Sequence, residues 1–196
     1  MAWVAPGTAI AGTVLSAAFL NVYRDDLNYL KGVLDTAPVS YTPTVADVVS
    51  TVAQTATISF TVGASEMADG DVIKIYAAVK VKSTGGTYTL DMFWGSSSVN
   101  LSSTSQSAGS EKFHLVEFKL ERVGADLWVR GQEGTMAADL QKPFHDLAAG
   151  NTNVAVISAP TFTSSQTVAL KITLNVNSAN DYWKTQKARV VRVRAV

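Results

Sequence analysis

The 196-residue chain has no cysteine, and charged residues make up only 16% of it, 16 Lys and Arg against 16 Asp and Glu. The missing cysteine excludes disulfides, thiolate chemistry and cysteine-based metal sites. Zero net charge argues against a general nucleic-acid-binding protein, because contacts to phosphate need an excess of Lys and Arg. Ser (18) and Thr (20) take over much of the polar role. The surface is thus expected to be polar but weakly charged, which is typical of proteins that work in assemblies.

Long hydrophobic runs are also missing. Residues 1–23 carry no charged side chain, yet Pro6, Gly7 and Gly12 interrupt the apolar positions and no Lys or Arg precedes them. A signal peptide needs a basic start and a continuous apolar stretch. A membrane-spanning helix needs about 20 mostly apolar residues. The sequence therefore predicts neither a signal peptide nor a membrane span, and no membrane partner.

One segment has helical periodicity, Ser16–Lys31. Ser16 suits an N-cap and Gly32 suits the position after the last turn. Apolar side chains recur at spacings of three and four, which forms a narrow heptad seam. A helix of this length is marginal in water by itself, so it has to pack on its own domain or associate with other chains. The seam consists of Leu20, Tyr23, Leu27, Leu30 and Leu34.

After a proline-containing stretch the apolar period changes from 3.5 to 2. We expect a linker at residues 35–46 and a strand-rich body at residues 47–196, preceded by an anchor and helix at residues 1–34. Asp71–Lys82 alternates throughout, and the turn after it predicts a hairpin over residues 71–94. A turn is expected at Val123–Asp126, and loops are expected at residues 102–110 and 133–150. In the final strand, Val191, Val193 and Ala195 are expected to face inward, opposite to Arg192 and Arg194.

Eight or nine such strands with no second helix predict a mainly β fold. The expected architecture is an antiparallel, jelly-roll-like β-sandwich with a short N-terminal α-helix. Clean alternation indicates that each sheet buries one face and leaves the other in water.

The sequence offers no pattern for catalysis, metal binding or a cofactor. His114 and His145 are distant from each other and lack metal-ligand spacing, and Glu117 and Glu121 fit a solvated strand face better than a carboxylate pair. We therefore predict a protein that is not an enzyme, with no catalytic residue, metal or cofactor.

Two groups of side chains are candidate binding surfaces. Trp183 and Tyr182 are candidate ligand-binding residues, together with Tyr88, Trp94 and Trp128, although packing in the core or at a subunit interface is the favoured role for such strand aromatics. A modest basic stripe near the C-terminus is expected to pair with an acidic neighbour rather than with nucleic acid. The stripe consists of Lys187, Arg189, Arg192 and Arg194.

The first part of the chain resembles a known group. Trp3 to Thr8, Gly12 and the stretch Leu20–Gly32 resemble the N-terminal signature of tailed-bacteriophage virion proteins, with Asp26 in place of the usual Asn. The body is similar to jelly-roll domains of phage decoration, head-fibre and tail proteins. Its matching stretches are Gly70–Ile73, Leu90–Gly95 and Glu117–Gly124.

The resemblance implies a homotrimeric structural protein located in the virion and attached through its N-terminus. The partners are then other copies of the chain and other virion proteins of the capsid or tail. Short length favours a capsid-decoration or head-fibre role. The alternative is a receptor-binding protein of the tail tip or tail fibre that recognises a host-surface glycan. Trp3, Leu20, Tyr23, Leu27, Leu30 and Leu34 are the expected anchoring and oligomerisation residues.

Overall fold

The structure is a computed structural model that describes residue 27 and residues 38–82, 86–106, 111–135, 141–143, 154–174 and 180–195. Its contacts divide the chain into two units, Met1–Ala37 together with Val196, and Pro38–Ala195. Leu27, in a helix, is the described residue of the first unit. The strands of the second unit are β1 (Val39–Tyr41), β2 (Thr44–Val45), β3 (Val48–Val49), β4 (Thr55–Val62), β5 (Val72–Lys82), β6 (Gly86–Trp94), β7 (Ser97–Gln106), β8 (Lys112–Val123), β9 (Asp126–Thr135), β10 (Gln141–Pro143), β11 (Ala155–Ile157), β12 (Gln166–Leu174) and β13 (Tyr182–Val193).

The strands form two antiparallel sheets. Sheet A has the order β1-β13-β5-β8-β9-β10, with β3 also paired to β13 and β11 also paired to β9. Sheet B has the order β2-β4-β12-β6-β7. The predicted jelly-roll-like antiparallel β-sandwich is therefore confirmed. The predicted helix, apart from Leu27, lies outside the described residues.

The core lies between the sheets and is built from the alternating positions that the sequence indicated. Every second residue of β5 from Ile73 to Val81 is buried, and so are Val116, Phe118 and Leu120 of β8. Large side chains of sheet B complete the layer, and burial of each returns roughly 1.5–3 kcal/mol. These include Ile58, Phe60, Leu90, Met92, Leu170 and Ile172.

The prediction for the end of β13 is wrong, because the strand contains a β-bulge. Thr185 pairs with Val79 and Lys187 with Ala78, so Gln186 is an extra residue. Such a residue shifts the alternation by one position. Beyond the bulge Val190 and Arg192 face the interior, each at most 2% exposed. The Arg192 guanidinium there donates a hydrogen bond from Nη1 to the carbonyl oxygen of Glu66.

The predicted hairpin over residues 71–94 is also wrong. β5 pairs with β13 and β8 in sheet A, whereas β6 pairs with β12 and β7 in sheet B. A polar turn after an alternating strand looks the same in sequence whether the chain returns alongside or crosses to the other sheet. β5 forms long ladders with β13 and β8 on its two sides, so no position beside β5 in sheet A is left for β6.

Two further boundaries differ from the prediction. Residues 39–41 and 44–45, placed in the linker, are β1 and β2, which pair with β13 and β4. Residues 102–106, 133–135 and 141–143, placed in loops, belong to β7, β9 and β10. These segments have few large apolar residues, so their strand state comes from ladder hydrogen bonds that periodicity does not reveal.

Two tight turns between neighbouring strands use glycine at a position with positive φ. Gly95 joins β6 to β7 and Gly124 joins β8 to β9, with φ of 60° and 61°. In both turns only the first central residue has positive φ, which is the pattern of a type II′ hairpin turn. The turn at Gly124 is one that the sequence predicts.

Buried polar groups tie the two sheets together. Thr57 of β4 and Thr185 of β13 lie with their Oγ1 atoms 2.6 Å apart. Thr57 donates to the carbonyl oxygen of Ala46, so Thr185 donates to Thr57, since a hydroxyl has one proton. Asp71 accepts hydrogen bonds from the backbone N–H groups of Ala68 and Ala195, which holds the C-terminal end against the body.

Candidate functional site

The predicted oligomerisation residues are described at one position only. Trp3, Leu20, Tyr23, Leu30 and Leu34 lie outside the described residues. Leu27 is helical and 64% exposed in the single chain. An apolar side chain of the predicted seam is therefore accessible to a second chain.

The two candidate ligand-binding aromatics, Trp183 and Tyr182, lie on opposite sides of sheet A. The Trp183 side chain is fully buried and packs edge-to-face against Tyr88, with ring centroids 5.4 Å apart. Trp183 is therefore wrong as a ligand-binding residue, because its ring fills the space between the sheets. Tyr182 points the other way, as strand alternation requires, and is only partly buried.

Tyr182 belongs to a polar cluster at one end of sheet A. Its hydroxyl donates to Oε2 of Glu111 at 2.5 Å, and Nζ of Lys80 lies 3.1 Å from Oε1 of the same carboxylate. Lys80 also lies over the ring of Phe113 at 4.6 Å, and Lys184 over the ring of Tyr182 at 4.5 Å. The contacts of Lys80 and Glu111 join β5, β13, β8 and the residue before β8, whereas the contact of Lys184 with Tyr182 lies within β13. The cluster therefore arises from the sheet register and from alternation along β13.

The cluster shifts the pKa values of its members in opposite directions. The hydrogen bond to Glu111 raises the pKa of Tyr182 above its ordinary value of 10.0, because the carboxylate favours the protonated phenol. The same hydrogen bond and the contact with Lys80 lower the pKa of Glu111 below 4.5. Tyr182 and Glu111 therefore form a neutral phenol and an ionised carboxylate at neutral pH.

The solvent-facing side of sheet A, which we call the basic face, is rich in cations. Lysine and arginine occupy outward positions on β5, β8, β9 and β13, and carboxylates are fewer there. The cations are Lys74, Lys80, Lys82, Lys119, Arg130, Lys184, Lys187 and Arg189, and the carboxylates are Glu111, Glu117, Glu121 and Asp126.

A row of cations crosses the centre of the basic face. Lys74 on β5 pairs directly with Lys119 on β8, which pairs directly with Arg130 on β9. Strands lie about 4.8 Å apart, and like charges at directly opposite positions cost roughly a few tenths to 1 kcal/mol per pair. Glu117 offsets part of this cost through its contact with Lys119 at 3.3 Å. Lys74 and Arg130 have no carboxylate partner among the described residues, so the row is under repulsion.

The outer side of sheet B is different in chemistry, and we call it the hydroxyl face. A polar cluster on this face surrounds Asp91, whose two carboxylate oxygens accept hydrogen bonds from Gln54 and Asn100 at 2.8 and 2.9 Å. Lys171 lies over the ring of Phe93 at 3.7 Å. The remaining outward positions are mostly hydroxyl-bearing or small: Ser59, Thr61, Thr89, Ser98, Thr167, Ala169 and Thr173.

The other sequence candidates contribute no catalytic arrangement. His114 is buried on the inward side of β8 at 3% exposure, and His145 lies outside the described residues. Glu117 and Glu121 are on the solvated side of β8, as expected. Within the described ranges, no group of three or more His, Asp or Glu side chains is arranged to hold a metal ion. Helices long and apolar enough to cross a membrane are likewise absent from that part of the chain.

The predicted basic stripe of the last strand is divided by strand alternation, since all four of its residues lie after the bulge. Lys187 and Arg189 remain on the basic face, whereas Arg192 is in the interior. The cation row was missed, because its members come from three strands whose pairing register is not visible in sequence. Its only sequence signal is a cation at an outward position in each strand.

Comparisons with known proteins add little. No protein-family model matches the sequence, and no curated protein matches it. A solved crystal structure of a polysaccharide lyase of family 18 aligns with 81% of this chain and 86% of its own, at 10% sequence identity and a TM-score of 0.27. A TM-score of this size does not establish a shared fold, and that protein's activity does not transfer to this chain.

Proposed function

We propose that this protein is a non-enzymatic structural protein of a bacteriophage virion, a homotrimeric capsid-decoration or head-fibre protein attached through its N-terminus. The observation that carries the proposal is the separate N-terminal unit, in which Leu27 of the predicted seam is exposed. The resemblance of residues 1–32 to phage virion proteins supports it. Among the described residues, the core cluster of the sandwich is built from residues 48–190.

The assembly has a physical basis in the seam. A single helix with a two-heptad seam is only marginally stable in water, because its apolar side chains stay exposed. Three such helices can bury these leucines against each other, which stabilises all three. A three-fold assembly matches the local three-fold sites of a capsid, where copies stand side by side. The hydroxyl face suits such crowding, because neighbouring copies would present almost no like charge to each other.

The first test is the mass of the full chain in solution. We expect light scattering at micromolar concentration to give about three times 20.8 kDa, and Leu27→Asp to give the single-chain mass, because it buries a charge in the seam. Asn28→Asp is the matched control: it adds the same charge one position away from the seam and should leave the trimer intact. A monomeric full-length chain would overturn the oligomeric part of the proposal.

The second test is the copy number per virion. Hundreds of copies, counted by quantitative mass spectrometry of purified particles, would support capsid decoration. A handful of copies would support the alternative position at the tail tip, and absence from particles would overturn the virion role. In that alternative position Trp183 would not be the residue that binds a glycan, because its ring is buried.

A further inference from the structure

We infer that the basic face binds an acidic polysaccharide, a chain of sugars bearing carboxylates, along the row of Lys74, Lys119 and Arg130. The inference concerns the sandwich alone and does not depend on the trimer or on the virion role. If the protein does lie on a virion, the basic face would supply its contact with a charged host-surface or environmental glycan.

The first argument is charge complementarity. Directly opposite cations on three neighbouring strands repel each other, and the described residues provide one carboxylate contact, Glu117 to Lys119. A ligand with regularly spaced anions would relieve this repulsion. Arginine and lysine bind carboxylates through charge-assisted hydrogen bonds, and the guanidinium of Arg130 can engage one carboxylate with two N–H groups.

The second argument is the arrangement of aromatic rings beside the row. Tyr76 follows Lys74 at the next outward position of β5, and Trp128 precedes Arg130 at the neighbouring outward position of β9. Tyr76 is 39% exposed and Trp128 is partly exposed. Such rings present an apolar surface with a polar edge. A sugar ring has the same character, with C–H groups on its faces and hydroxyl groups at its rim.

The third argument concerns which polyanion fits. Glu117 and Glu121 lie on the same side of β8 as Lys119, one outward position before it and one after it. The cationic strip is therefore narrow and flanked by carboxylates, which repel the wide phosphate surface of a nucleic-acid duplex. A single polysaccharide strand is narrower than a duplex and could follow the row across β5, β8 and β9 while Glu117 stays paired with Lys119. The zero net charge of the chain also disfavours nucleic acid.

The test measures binding of polygalacturonate to the full-length protein by isothermal titration calorimetry, at low and at physiological salt. We expect binding that weakens as salt rises, because exposed charges are screened. The variant Lys74→Gln/Lys119→Gln/Arg130→Gln should lose at least about tenfold in affinity, an estimate from the usual cost of losing charged contacts at a binding surface. The single variant Arg130→Gln should also bind more weakly. Its matched control is Lys171→Gln, which removes one cation from the hydroxyl face and should leave the affinity unchanged.

Folding is checked in the same experiment. Removing like charges from opposite positions should leave the thermal midpoint of the triple variant equal to or above that of the unaltered protein. If the triple variant fails to fold, the single variant Arg130→Gln decides, and an affinity equal to that of Lys171→Gln overturns the inference.

Comparison ligands separate the remaining sources of binding. Neutral dextran should not bind, and oligo(dT) and polyglutamate should bind at least about tenfold more weakly than polygalacturonate, as expected when ring contacts add to charge. Equal affinity for oligo(dT) or polyglutamate, or no binding of polygalacturonate at low salt, overturns the inference. Loss of polysaccharide binding in Leu27→Asp would show that the site needs the trimer and would overturn its assignment to the sandwich alone.

Discussion

At the scale of single residues, alternation along a strand decides whether a side chain is core or surface. Trp183 and Tyr182 are neighbours in sequence, yet one fills the space between the sheets and the other contacts Glu111 and Lys184 on the basic face. Tyr41 packs against Phe60, and burial raises its pKa above 10.0, an effect that the neighbouring Arg192 opposes. An aromatic residue in a strand therefore acquires a role only when its side of the sheet is known.

The pKa of Tyr182 gives a prediction at this scale. Glu111→Gln removes the carboxylate that favours the protonated phenol, so the pKa of Tyr182 should fall toward 10.0. NMR signals of the Tyr182 ring, followed through a pH titration and assigned with Tyr182→Phe, measure the change. Glu117→Gln is the control, because Glu117 contacts Lys119 instead. Identical titration of Tyr182 in the unaltered protein and in Glu111→Gln would contradict the prediction.

The sign of the pH dependence follows from these shifts. The raised pKa of Tyr182 contributes stability below pH 10.0 that is lost as pH rises through the folded-state value. The lowered pKa of Glu111 contributes stability above pH 4.5 that is lost as pH falls through its folded-state value. Both contributions are small because the two side chains are on the surface, where water screens the interaction.

At the scale of elements, the bulge in β13 is the feature that the periodicity does not reveal. It allows Trp183 and Thr185 to face the core before it, and Val190 and Arg192 to do so after it. Odd-numbered residues of β13 face inward before the bulge and even-numbered residues do so after it. A prediction that assumes one unbroken alternation therefore assigns the last residues to the wrong side of the sheet. β1 and β2 show the complementary case, since they are too short to carry any period and are strands only through their partners.

Deletions in β13 test this account. Deleting Gln186 removes the extra residue and leaves the inward set on both sides unchanged, so we expect a folded protein that loses no more than about 1.5 kcal/mol. Deleting Arg189 also shortens the strand by one residue, but keeping both ends in register would turn Lys187 inward in place of Ala188. That buries an unpaired charge, and we expect no stable fold.

The measurement is the urea midpoint of each deletion protein, followed by tryptophan fluorescence from the buried Trp183. Gln186→Ala serves as the control for loss of the side chain alone and should change stability by no more than about 0.5 kcal/mol. Equal stability of the two deletion proteins would contradict the assigned position of the bulge.

At the scale of the whole molecule, the contacts divide the chain into two units, and the described core cluster belongs to the sandwich. The two outer faces differ, one cationic and aromatic, the other rich in hydroxyl groups. A neutral total charge therefore conceals an uneven distribution. The zero balance remains an argument against a general nucleic-acid binder, but it does not exclude a local site for a polyanion.

The proposed trimer, associated through the N-terminal unit, predicts different concentration dependence of stability for the full chain and for the sandwich alone. Residues 38–196 expressed alone should fold as a monomer whose thermal midpoint does not change with protein concentration. The midpoint of the full chain should rise with concentration, since association stabilises the folded form by mass action. Differential scanning calorimetry over a range of concentrations measures both, and Leu27→Asp should behave like residues 38–196. Failure of residues 38–196 to fold would show that the N-terminal unit completes the core.

Composition and period-2 alternation by themselves determined the fold class and most of the inward positions of β5, β8 and β12, because burying one face of a strand imposes a local pattern on its residues. They also identified the turn at Gly124, where backbone conformation favours glycine. Tertiary structure alone decided which strands pair, that β5 and β6 lie in different sheets, where β13 is bulged, and that Trp183 is buried. It also brought Lys74, Lys119 and Arg130 into one row. Pairing joins residues far apart in the chain, and its register depends on ladders and packing that no local pattern encodes.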